Sequence, residues 1–154
     1  MMRVLTAPLS ILMIALGLLL ASPAPALAKP EINKSFLGGV AIEGTDPVAY
    51  FTDAKAVIGS SKFSHRWNGA EWRFKNAANR DTFAKTPGKY APAFGGYCAW
   101  AVSQGYTAGI DPEAWTIHQG TLYLNFSKNV REQWAQDISG NIAKGRRNWP
   151  GVLK

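Results

Sequence analysis

Between Phe63 and Phe74 the chain reads FSHRWNGAEWRF, two runs of alternating apolar and polar residues joined by Asn68-Gly69. Alternation at period two gives an extended strand one face in a core and one in water. Asn-Gly between two such runs specifies a type I′ turn, whose two central residues take positive φ. The stretch therefore reads as strand, tight turn and strand. Asn76 is a favourable N-cap for a helix over 77–85, which Pro87 stops.

The pattern comes a second time. Trp115 to His118, Gln119-Gly120 and Thr121 to Asn125 repeat the hairpin, and Ser127 opens a helix with Val130, Trp134 and Ile138 on one face. Shifted by 51 positions without a gap, the first unit falls on the second: Gly69 on Gly120, Trp72 on Tyr123, Asn76 on Ser127, Arg80 on Arg131 and Phe83 on Trp134. Upstream, Asp46-Pro47-Val48-Ala49-Tyr50 is echoed by Asp111-Pro112-Glu113-Ala114-Trp115. Each Asp-Pro suits a helix start, with Asp as cap and Pro in the first turn. Few of the paired residues are identical, so a duplication and a chance likeness of two hairpin-helix units both fit. The expected fold is α+β in either case, two ββα units in one small domain, closed by a turn at 141–148 that packs through Ile142 and Trp149.

The first 28 residues carry one charge, Arg3, then an apolar run from Ile11 to Ala21, and end Ala26-Leu27-Ala28. That is the layout of a signal peptide with an A-x-A cleavage site. The apolar run is well short of the ~20 residues that span a bilayer. Cleavage leaves one domain over 29–154 that does not span the membrane, and the expected location is the periplasm. The full chain has 17 basic and 10 acidic residues, a net charge of +7. Export makes nucleic acid an improbable partner for that charge and leaves envelope anions or solubility. The single cysteine, Cys98, cannot staple the domain, so its core must hold it.

Cys98 lies in Phe94-Gly95-Gly96-Tyr97-Cys98-Ala99-Trp100. Good helix formers follow it as far as Gln104, and Gly105 makes a natural stop, which places Cys98 in the first turn of a short helix. A helix start favours an anion, and Gly95 and Gly96 let another group approach the backbone closely. A reactive thiol is one reading. The other is packing, because free cysteine behaves as a small hydrophobe.

Three segments, GTDPVAYF, WNGAEWRFKNAANRDTFAKTPGKYAPAFGGYCAW and AWTIHQGTLYLNFSKNVREQW, resemble the exported members of the YHS-domain family over about residues 36–150. The resemblance implies a small α+β domain related to treble-clef-like, cysteine-based metal-binding modules. It also implies a role in envelope metal or thiol homeostasis, with chalcogen chemistry at Cys98. The positions it carries over are Asp46, Pro47, Tyr50, Pro87, Tyr90, Gly95, Gly96 and Cys98. Shorter members place one cysteine after an Asp-Pro-Val and another after the hairpin, and those positions are Ala49 and Lys75 here. The usual pair of sulfur ligands is missing.

Soft ligands remaining after cleavage are Cys98, His65 and His118, since Met1, Met2 and Met13 leave with the leader. Such a set suits copper or zinc by ligand type, but no ligand pair has metal-site spacing, so folding alone would have to gather the three. His65 shares a strand face with Phe63 and Trp67 and belongs on the buried side; His118, opposite Trp115 and Ile117, belongs on the solvent side. A single cysteine excludes a dithiol oxidoreductase. A one-cysteine redox enzyme would need an external thiol partner, and no general acid–base pair stands out. The third class is a binding module for a small ligand or an envelope protein. In it, some of the 6 Trp, 7 Phe and 5 Tyr would line a cleft.

Overall fold

The computed structural model describes residues 28–154. The expected signal peptide lies almost wholly outside them. Helices α1 (Ala49–Thr52), α2 (Ala77–Lys85), α3 (Pro87–Tyr90), α4 (Ala99–Ser103), α5 (Lys128–Ala135) and α6 (Ile138–Asn148) surround two antiparallel hairpins. These are β1 (Ser60–Trp67) with β2 (Ala70–Phe74), and β3 (Asp111–His118) with β4 (Thr121–Asn125). The domain is α+β, as expected, with each hairpin forming its own two-stranded sheet. No helix among the described residues is long and apolar enough to cross a membrane.

Both turns have the backbone that the sequence demands. Asn68 and Gly69 have φ of 47° and 71°, and Gln119 and Gly120 have 49° and 74°. The two ladders share one register. Ser60 pairs Phe74, a bulge follows, and pairing resumes from Ser64–Arg73 to Trp67–Ala70. Moved by 51 positions these become Asp111–Asn125, a bulge, and Trp115–Leu124 to His118–Thr121, which is the observed second ladder. Asn76 accepts a bond from the Asn79 N–H and Ser127 from the Val130 N–H, so the helix caps correspond too.

Two expectations change. Asp111-Pro112 does not start a helix: the Asp111 carboxylate accepts the Glu113 N–H in a local turn, and the segment is already paired as the first part of β3. Its counterpart at the 51-residue offset is Ser60, not Asp46. Nor does one helix carry Val130, Trp134 and Ile138. Asp137 caps a new helix through the Gly140 N–H, so Ile138 opens α6. Ile142 is buried and Trp149 packs against the same cluster, as the closing turn requires.

Most of the aromatic residues are core bulk. Trp72, Phe74 and Phe83 are fully buried in one cluster, with Trp72 and Phe83 ring centres 5.1 Å apart. In the second cluster Tyr123 and Trp134 make the corresponding contact at 5.2 Å. Tyr50 ties the two units together: its ring packs on Trp115 at 5.4 Å and its hydroxyl donates to the Pro112 carbonyl at 2.9 Å.

Candidate functional site

The connection between the units builds the site around Cys98. Phe94, Gly95 and Gly96 all have positive φ, from 54° to 79°. At Gly95 a Cβ would overlap the Glu31 carbonyl. The group that the glycines admit is thus another segment of the chain itself, residues 31–33, held by the Asn33 N–H to the Gly95 carbonyl and by the Asn33 amide to the Gly96 carbonyl. This turn delivers Cys98 to the N-cap of α4, one position earlier than a first-turn placement, where its sulfur accepts the Ala101 N–H at 3.5 Å.

The Cys98 thiol donates to Asn125 Oδ1 at 3.7 Å, and the same oxygen accepts the Trp100 N–H at 3.1 Å. Asn125 is fully buried, and its Nδ2 has no hydrogen-bond partner among the described residues. An unpaired buried amide donor is uncommon and costs about 1–3 kcal/mol. Asn125 escapes a reading of the second hairpin alone, because it ends an apolar strand and looks like a turn residue. The offset of 51 exposes it: the matching residue, Phe74, is core.

Cys98 is buried, yet it lines an open cleft of about 250 Å³ with Trp100, Ala101, Tyr106, Ala108, Phe126 and Val130. The lining is nearly all apolar, and its rim includes two of the most exposed aromatics of the described chain, Tyr106 at 52% and Phe126 at 58%. Isolated exposed apolar residues are ordinary, but an apolar concavity framed by two aromatic rings is a binding surface in shape.

The histidines lie elsewhere. His65 is half-buried on β1 with its ring 6.3 Å from that of Phe83, on the core side as expected. His118 is also half-buried and lines an open polar pocket at the second hairpin turn. Among the described residues no three His, Cys, Asp or Glu side chains gather where they could hold a metal ion. Folding therefore does not bring Cys98, His65 and His118 into one cluster.

Asp46 is fully buried and its carboxylate has four donors. Oδ1 accepts the Val48 and Ala49 N–H groups, and Oδ2 accepts the Lys75 N–H and the Asn79 amide. This is the helix-start role read from Asp46-Pro47, extended across to the end of β2. It also means that Ala49 and Lys75, each donating its main-chain N–H, meet at one carboxylate. The Lys75 ammonium pairs with Asp53 at 2.5 Å. The hydroxyl of Tyr50 resists ionisation: burial pushes it well above its ordinary value, with the Glu113, Asp111 and Glu43 carboxylates adding and the Thr45 hydroxyl opposing. Pro87 begins α3 and Tyr90 ends it, where its ring meets Phe51 edge-on at 5.4 Å. None of Asp46, Tyr50, Pro87 and Tyr90 lines the Cys98 cleft.

No family model, curated protein or solved structure matches this chain.

Proposed function

We propose that the protein is an exported, YHS-like binding module of the periplasm whose Cys98 cleft takes a compact apolar ligand of about one aromatic ring. The observation that carries this reading is the open apolar cavity framed by Tyr106 and Phe126 with Cys98 in its wall. At about 250 Å³ it is just under the range of pockets for drug-sized molecules, which argues for a small occupant. The meeting of positions 49 and 75 at Asp46 supports the treble-clef-like family resemblance, since a pair of sulfur ligands there would be neighbours. The mature protein reacted with N-ethylmaleimide, with and without indole, tests the module. Indole should slow labelling of Cys98, and Val130→Trp, which fills the cleft, should remove the protection. Labelling that indole never slows, or, where the buried thiol reacts only in denaturant, no saturable indole uptake by the folded protein in equilibrium dialysis, refutes the proposal.

A second reading keeps metal or thiol homeostasis through Cys98, with copper or zinc as the soft metal and a second thiol or ligand supplied by a partner. The observation favouring it is that the chain's only sulfur after cleavage lies in the wall of that cleft. It requires stoichiometric Cu(I) or Zn(II) binding by the mature protein that disappears in Cys98→Ser. Metal binding that survives the substitution eliminates it.

A further inference from the structure

The polar pocket at the second hairpin turn is separate from the Cys98 cleft and has opposite chemistry. Its cavity is about 190 Å³, and its polar walls come from three directions: His118 and Gln119 at the turn, Thr121 and Tyr123 on β4, and Ser139 and Arg146 on α6. Ser139, Ile142 and Arg146 stand at spacings of three and four, which puts them on one helix face. All six polar side chains can donate a hydrogen bond, and no carboxylate lines the cavity. Ion pairs among the described residues join Arg73 to Glu71, Lys75 to Asp53 and Arg80 to Asp81, and Arg146 is in none of them. The carboxylate nearest Ser139 in the chain, Asp137, is engaged in capping α6 through the Gly140 N–H.

Comparison of the two units shows why the pocket is open. At the offset of 51, His118 stands where the first unit has Trp67. Trp67 lies 5.9 Å from both Trp72 and Phe83, so a large ring covers that aromatic pair. In the second unit the equivalent pair, Tyr123 and Trp134, keeps its contact, but the covering position holds a smaller, polar ring. The first turn of α6 and Arg146 complete a basic, donor-lined cavity, whereas the matching positions of the first unit, Trp67 and Asn68, line a cavity walled by other segments and holding the Glu31 carboxylate. Ser139 adds the favourable field of a helix start, and α6 is long enough to supply one.

We propose that this pocket binds a phosphate-type oxoanion, either free phosphate or the phosphate group of a small ester. Donors arranged around three sides suit a tetrahedral ion with acceptor oxygens in every direction, and the Arg146 fork supplies the cationic side. The chain's net charge of +7 favours the encounter.

Calorimetric titration of the mature protein with inorganic phosphate, and separately with glycerol phosphate, at fixed ionic strength tests this. One saturable site per chain is expected, weakened about tenfold in Arg146→Gln, the effect of one charge-assisted hydrogen bond. His118→Trp copies the covering ring of the first unit and should close the pocket and abolish binding, with cooperative unfolding as the check on its fold. Arg146 is exposed, so its substitution leaves the fold intact even where the tryptophan variant fails. Stronger binding of the free ion or of the ester identifies which source of phosphate the pocket takes. Absence of saturable heat up to ~10 mM, the range in which a millimolar site fills, overturns the proposal. So does full binding in a folded Arg146→Gln protein, or acetate binding as tightly as phosphate.

Discussion

Replacing Asp46 by asparagine should separate a structural carboxylate from a functional one. The side chain is fully buried, and each oxygen accepts two bonds: Oδ1 from the Val48 and Ala49 N–H groups, Oδ2 from the Lys75 N–H and the Asn79 amide, at 2.8 to 3.2 Å. Asparagine keeps the shape but has one acceptor oxygen. With its NH₂ towards α1, the Val48 and Ala49 N–H groups both lose their partner; with its NH₂ towards β2, the Lys75 N–H loses its partner while the Asn79 amide can turn and accept. A bond to a charged acceptor contributes about 1.5–3 kcal/mol, which puts the loss of one to two such bonds at about 1.5–6 kcal/mol. The upper end is a large part of the ~5–15 kcal/mol stabilising an ordinary domain. Urea denaturation reads the total. Amide hydrogen exchange reads the mechanism: protection should fall at Val48 and Ala49 or at Lys75, depending on the orientation of the new amide, but not at both ends. An Asp46→Asn protein within ~0.5 kcal/mol of wild type, the range of surface substitutions, would refute the idea that this carboxylate joins α1 to the end of β2.

Tyr50→Phe removes the bond to the Pro112 carbonyl and should cost about 1 kcal/mol at neutral pH. Burial, with the nearby carboxylates, raises the Tyr50 hydroxyl above its ordinary value of 10.0 in the folded state. Its stabilisation is therefore complete below about pH 10 and is lost as pH rises further. Denaturation midpoints should fall less steeply above about pH 10 in Tyr50→Phe, leaving the smaller contribution of Tyr97, whose hydroxyl burial also pushes up; parallel curves would contradict this. Gly95→Ala combines a φ of +60° with overlap on the Glu31 carbonyl, and should destabilise by at least ~2–3 kcal/mol. Gly88→Ala meets no atom within 4 Å and should be neutral or stabilise by up to ~1 kcal/mol, so equal thermal midpoints for the two variants would remove the steric argument.

What the sequence made legible is local. Asn68-Gly69 and Gln119-Gly120 announce their turns, because few sequences accept positive φ at two successive residues, and Asn76 and Ser127 cap the helices they precede. The Asp-Pro motif was ambiguous because a short carboxylate can hold an N–H two residues on in a helix start or in an isolated turn. Asp46 does the first and Asp111 the second, and only the pairing partner, Asn125, decides between them. The Cys98 cleft was not legible. Its walls come from residues 98–108 and 126–130, and no periodicity within either segment reports that the two face each other.

The likeness of the two hairpins carries more information in its mismatches than in its matches. Two ladders with one register and one bulge position define a common scaffold, so a residue that changes character between them marks a place where the second unit departs from simple packing. Phe74, fully buried, becomes Asn125, and that side chain bonds both Cys98 and the Trp100 N–H, two residues in the wall of the apolar cleft. Trp67, tilted against Trp72 and edge-on to Phe83, corresponds to His118, and a polar cavity stands beside it. Each loss of an aromatic ring removes burial worth about 1.5–3 kcal/mol for a large apolar side chain, which an otherwise equivalent unit would have had no physical reason to give up. Both proposed sites thus border the second unit, the Cys98 cleft through Phe126 and Val130 and the polar pocket through His118 to Tyr123. Restoring the rings one at a time, with Asn125→Phe and His118→Trp, should therefore affect the two sites separately: the first should alter labelling at Cys98 while phosphate binding persists, and the second should do the reverse.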